Sequence, residues 1–175
     1  MIAPPIAAPY LASAALLGFA GLAKIARPEN TVGALRAARF PATRTAVRAG
    51  AAAETGVAVA ALVAPSALTG AMVAGSYFGF TLFTVLALRM RWPISSCGCF
   101  GKPDTIPTKA HALLNAGAVA SALWWALSRP ASLGRVFSDQ PWHGAPLGLV
   151  TAVVALLAYI VWTNPVPALS RGAGL

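Results

Sequence analysis

Five stretches of this chain, at about 5–26, 46–64, 69–88, 109–127 and 145–162, are apolar and carry almost no charge. That pattern limits the fold more than any other feature. A helix rises about 1.5 Å per residue, so about 20 apolar residues cross the hydrocarbon core of a bilayer. Of the 175 residues, 58% are hydrophobic and only 10% charged, whereas a soluble domain carries about 25% charged residues. Backbone groups in lipid must be satisfied internally, which leaves helices or closed barrels. No segment alternates apolar and polar residues as a membrane barrel strand does. The chain therefore reads as an all-α integral membrane protein. It is expected to form a single transmembrane domain over 1–164, with a C-terminal tail at 165–175.

The breaks between the apolar stretches support this division. "RPENTVGALRAARFPATRT" follows the first, "PSALT" makes a tight turn after the second, and "RPASLGRVFSDQPWHG" precedes the fifth. The amphipathic part at 31–44 suits a short helix lying along the membrane surface. "MIAPPIAAPYLASAALL" has no basic run ahead of its apolar core and reads as an uncleaved first span.

The net charge of +9 would suggest a nucleic-acid partner in a soluble protein. Here the basic residues lie in short loops, and no basic patch has interleaved aromatics, so nucleic acid is not expected as a partner. With five spans, eleven of the thirteen Lys and Arg fall on one side: Lys24, Arg27, Arg36, Arg39, Arg44, Arg48, Arg89, Arg91, Lys102, Lys109 and Arg171. Only Arg129 and Arg135 fall on the other. The positive-inside rule then puts the N-terminus outside, the C-terminus in the cytoplasm and the loop after the third span on the cytoplasmic side.

That loop, "RWPISSCGCFGKPDT", holds both cysteines of the chain, Cys97 and Cys99. Three readings compete for them. A close dithiol can cycle to a disulfide, and the strain of C-x-C spacing makes such a disulfide more oxidising, with Gly98 relieving part of the strain. Soft thiolates could instead hold Cu(I) or zinc. A structural zinc wants four ligands, and the only histidines are His111 and His143. The third reading, two inert buried thiols, suits a Gly-rich, Lys-containing loop poorly. The redox reading is preferred, with no metal assigned.

Glu54 lies about 12 Å into the second span. An ionisable residue at that depth is a functional candidate by default. A structural ion pair with Lys24, at the end of the first span, stands beside a proton-handling role. His111 opens the fourth span, with Asn115 one turn on and on the same face. A histidine near a thiol can stabilise the thiolate or carry its proton, or it can sit inertly at the interface. Lys24, Glu54, Cys97, Cys99, His111 and Asn115 all lie toward one membrane face, so any site belongs there. Gly75 and Gly79, with Ala71 one turn before, make a small-residue stripe expected to pack against another helix of this protein. Trp92, Trp124, Trp125, Trp142 and Trp162 sit near span ends, as an interfacial aromatic belt would.

These residues resemble a known family. "SCGCFG" after a third apolar span is similar to the CGCFG signature of the MauE (methylamine utilisation) branch of the DoxX-like membrane proteins, with Phe100 and Gly101 completing it. "GLAKIARPE", "RAGAAAETG" and "HALLN" are similar to its other marks, although in the last only Asn115 matches the family's Arg-Asn. The resemblance covers about residues 5–127. It implies a compact four-helix bundle, distantly like those of DsbB and vitamin K epoxide reductase, with a fifth helix added. It also implies a role in thiol–disulfide traffic beside a thioredoxin-like partner. MauE itself is associated with maturing a disulfide-rich periplasmic dehydrogenase subunit. This chain departs from the DsbB pattern in having one dithiol rather than two.

The function expected is a thiol–disulfide redox protein of the bacterial inner membrane. Cys97 and Cys99 would react, His111 and Glu54 would assist, and Lys24, Gly98, Phe100, Gly101 and Asn115 would support them. A thioredoxin-like protein is the expected partner, and a membrane quinone is the cofactor considered. A non-enzymatic scaffold for a redox or transport complex, and a Cu- or Zn-handling protein, are the rival readings.

Overall fold

The structure is a computed structural model that describes residues 7–94, 106–128, 133–138 and 141–163. The cysteine loop and the C-terminal tail lie outside the described residues. Within them the chain is helical and has no strand: α1 (Ala7–Ala26), α2 (Glu29–Ala37), α3 (Arg44–Val63), α4 (Ala67–Arg89), α5 (Lys109–Leu127), α6 (Leu133–Ser138) and α7 (Ala145–Thr163). A short 3-10 turn, Pro141–Gly144, leads into α7. Five of these helices, α1, α3, α4, α5 and α7, are long and apolar enough to cross a membrane. Their bounds fall within about two residues of those expected. This is a multi-pass membrane protein.

The helix starts follow from side chains that meet otherwise unpaired N–H groups. Thr43 accepts from the Ala46 N–H at the start of α3. Ser66 and Thr69 form a reciprocal capping box at the start of α4. Thr108 accepts from the His111 N–H at the start of α5. The short helix expected within 31–44 is α2. It begins earlier, after Pro28, a residue that suits a first turn. It stops at Ala37 because Arg39 turns left-handed (φ 64°), with its N–H on the Arg36 carbonyl and the Phe40 N–H on the Leu35 carbonyl. That is the closure glycine usually provides.

Helix α1 is the hub and touches α3, α4, α5 and α7. Lipid offers no hydrophobic drive between helices, so close packing of small residues joins them. An added Cβ at Gly18 would come within 3.1 Å of Ala58, and one at Gly21 within 2.9 Å of the Ala51 carbonyl. These two glycines therefore set the α1–α3 approach. Gly70 does the same for α4 against Ala122 and Ala126 of α5. Among the described residues nothing packs on the Gly75/Gly79 stripe: a Cβ at either position meets nothing within 4 Å. Both glycines face outward on α4 beside Met72 and Phe78. They lie about 100° or more around the helix from Val73, Ala74 and Tyr77, which take the core.

The apolar outer faces, including Phe19, Leu22, Leu113, Leu127, Leu149 and Leu156, would be untenable in water at this extent and suit lipid. Helix α7 is the most peripheral span, and Trp162 is its buried residue. The tryptophans divide. Trp124 and Trp142 are exposed, as a belt requires, whereas Trp125 and Trp162 are buried and belong to the core. On α5 helical phase decides this: Trp125 continues the buried face of His111, Asn115, Ala118 and Ala122, and Trp124 is turned about 100° away from it.

Candidate functional site at one end of the bundle

Lys24, in the last turn of α1, points inward and is 5% exposed. Its Nζ lies 2.5 Å from Glu54 Oε2 on α3 and 4.5 Å from the centre of the Phe80 ring on α4. Glu54 is ten residues into α3, about 15 Å along its axis. The lysine stem spans the difference in level, which explains why the pair forms although Gly21 rather than Lys24 faces the Ala51–Thr55 turn. The expected ion pair is therefore present. It joins α1 to α3, and the cation rests on an aromatic face.

The pair forms one wall of a cavity of about 330 Å³. Thr31 and Leu35 of α2, Ala42, Val47, Gly50 and Ala51 at and within α3, and Phe83 and Thr84 of α4 contribute the rest of the wall. On the other side of Lys24 is a small void of about 20 Å³, bordered by Tyr77, Phe80, Asn115 and Trp162. That is room for about one water. Asn115, which is buried, thus shares a void with Lys24, and the two expected site residues come together there.

His111 is buried at the start of α5. Its Nδ1 is 2.6 Å from Thr108 Oγ1, and its Nε2 is 3.2 Å from the Trp162 carbonyl of α7. A carbonyl can only accept, so Nε2 carries the hydrogen and donates it to Trp162. Nδ1 is then the acceptor for the Thr108 hydroxyl in the neutral ring. Both nitrogens are engaged within the protein, and the ring clamps the beginning of α5 to the end of α7. The Trp162 ring stacks on Tyr77 at 6.4 Å between centres, and the Tyr77 hydroxyl donates to the Ser13 carbonyl.

Neither Thr108 nor Phe80 is singled out from sequence, and Trp162 is placed there in the interfacial belt rather than at the site. Thr108 had a readable signal, a Thr before a helix and three residues ahead of a His. Phe80 and Trp162 had none, because an aromatic within an apolar span looks the same whether it faces lipid or the core. Cys97, Gly98, Cys99, Phe100 and Gly101, expected at the site, lie outside the described residues. The residues on either side, Ile94 and Ile106, are described, and Ile94 packs with Ala34 and Ala87 where α2 meets the end of α4.

A family model described as methylamine utilisation protein MauE matches residues 3–128. The chain belongs to the MauE family. No curated protein and no solved structure matches the chain at significant similarity. The MauE region includes α1 through α5, and with them the SCGCFG stretch, Lys24, Glu54, His111 and Asn115. It ends before α6 and α7. The Trp162 carbonyl that receives the His111 hydrogen bond thus comes from a helix outside the matched region.

Proposed function

We propose that this MauE-family protein is a thiol–disulfide redox protein of the bacterial inner membrane, with Cys97 and Cys99 as its reacting pair and a thioredoxin-like protein as its exchange partner. The observation that carries the proposal is the gathering of the buried Lys24, His111 and Asn115 and the half-buried Glu54 toward one end of the bundle. The stretch bearing both cysteines joins α4 to α5 at that same end, between Ile94 and Ile106. Buried polar groups are costly among apolar helices, and their clustering marks a place where chemistry is done.

In this reading His111 acts as a positioning residue. Its two hydrogen bonds hold the start of α5, and with it the C-terminal end of the cysteine stretch. Glu54 and Lys24 hold α1 and α3 at the site and keep it electrically neutral. Reduction of a disulfide between Cys97 and Cys99 to two thiols takes up two electrons and two protons, which a thioredoxin-like dithiol supplies as it becomes a disulfide.

The test is alkylation of the protein across a series of thiol redox buffers. The expected result is that both thiols are labelled when reduced, and are protected together as a two-electron couple when oxidised, with no cross-link between chains. Two thiols that stay labelled at every poise would contradict the proposal. If stoichiometric Cu or Zn purified with the protein and were lost in the Cys97→Ser/Cys99→Ser variant, the metal-handling reading would replace it.

A further inference from the structure

The cavity of about 330 Å³ beside the Lys24–Glu54 pair has a chemistry that selects its occupant. Its volume is at the lower end of the range for small-molecule sites. Its exposed lining residues are Pro41, Ala46 and Gly50, and Gly50 sits six residues into α3, about 9 Å along the helix. The opening is therefore flanked by α3 below its first turns, where a molecule dissolved in the bilayer can reach it. The lining is largely apolar, with the Phe80 and Phe83 rings on one side.

The polar wall is specific. The Lys24 ammonium has three N–H groups, of which one engages Glu54, and its remaining described contact is the Phe80 face. Glu54 binds Lys24 through Oε2, and its Oε1 has no hydrogen-bond partner among the described residues. The wall thus offers N–H donors and a carboxylate acceptor side by side, with no net charge. A phosphate or carboxylate headgroup would leave an uncompensated charge in an apolar pocket, which is strongly unfavourable. A neutral ring bearing carbonyl groups takes the lysine donors. The same ring in its dihydroxy form donates to the carboxylate and still accepts from lysine. Aromatic walls suit a planar ring.

We propose that this cavity binds a lipid-soluble quinone and its quinol, headgroup toward Lys24 and Glu54 and apolar tail toward the bilayer. The inference extends the redox reading above and, as to its purpose, rests on it. The two electrons and two protons released when the Cys97 and Cys99 thiols become a disulfide would reduce the two carbonyls of one quinone to the hydroxyls of one quinol. Binding itself does not need the thiols, which separates the two tests.

The experiment uses the full chain with Cys97→Ser/Cys99→Ser, purified in detergent, and measures equilibrium binding of decylubiquinone. Two further variants are compared. Gly50→Leu adds a side chain where a Cβ meets nothing within 4 Å and where the chain lines the cavity. Gly79→Leu adds the same side chain to an equally open position on α4 that is not among the residues lining the cavity. Neither should disturb the helices, since Leu is a better helix former than Gly. The expected result is saturable binding of one quinone per chain, weakened at least about tenfold, or about 1.4 kcal/mol, by Gly50→Leu and unchanged by Gly79→Leu. Absence of saturable binding, equal affinity in the two glycine variants, or a site that releases only phospholipid on extraction would overturn the proposal. If binding follows the prediction while the cysteines fail to cycle in the wild-type chain, the quinone site stands and the thiol reading falls.

Discussion

The two ends of this bundle are built from the same helices by opposite rules. At the end holding the start of α1, the start of α4 and the close of α5, contact is tight and uncharged. Tyr10 stacks on Trp125 with ring centres 4.5 Å apart and planes within 6°, and Gly70 lets α4 lie against Ala122 and Ala126. Two buried polar atoms there, the Tyr10 hydroxyl oxygen and Trp125 Nε1, have no hydrogen-bond partner among the described residues. At the other end a salt bridge, a doubly bonded histidine and a buried amide surround two cavities. A membrane bundle can close one end with rings and glycines alone. Keeping charge and open volume at the other end costs stability, which is why that end reads as the working one.

The contrast can be broken most forcefully at the packed end. Trp125→Ala should cost about 3–5 kcal/mol, the usual loss for a large aromatic cut from a core. Trp125→Phe keeps the stacking and removes the unpaired N–H, so it should be close to neutral or stabilising. Thermal unfolding in detergent distinguishes them, and equal destabilisation by both would mean that the indole nitrogen has a partner after all. At the site end, Lys24→Met should cost about 3 kcal/mol, because it strands the Glu54 carboxylate, while Lys24→Met/Glu54→Leu should recover most of that loss. A double variant as unstable as the single one would show that packing, and not pairing, holds α1 to α3 there. The smallest effect is expected at the end of α2. Arg39→Gly relieves a left-handed residue and should raise stability by about 1 kcal/mol. No gain would mean that the arginine side chain holds the turn by contacts of its own.

Much of this was legible in the sequence, and the reasons differ by residue. Span bounds follow from charge and length, and lipid makes those constraints strict. The Lys24–Glu54 pair was legible because two opposite charges within adjacent apolar spans have few other ways to be satisfied. The face of α4 was not legible. Gly75 and Gly79 look like a packing motif, yet Gly18, Gly21 and Gly70, none of which belongs to a GxxxG pair, make the close contacts. Amphipathicity cannot decide between them when lipid and core are equally apolar. Asn115 could be paired with His111 by helical spacing, but its shared void with Lys24 depends on where α7 delivers Trp162. That in turn depends on a helix outside the family match.

Thiol–disulfide exchange is the activity proposed for Cys97 and Cys99, and exchange with a thioredoxin is its decisive test. Oxidised protein would be mixed with reduced thioredoxin, quenched with acid and alkylated, and both proteins scored for free thiols over time. The account predicts that two thiols appear on this chain for every two lost from thioredoxin, and that the transfer is absent in the Cys97→Ser/Cys99→Ser variant. Thioredoxin that keeps both thiols while Cys97 and Cys99 remain accessible to the alkylating reagent would contradict it.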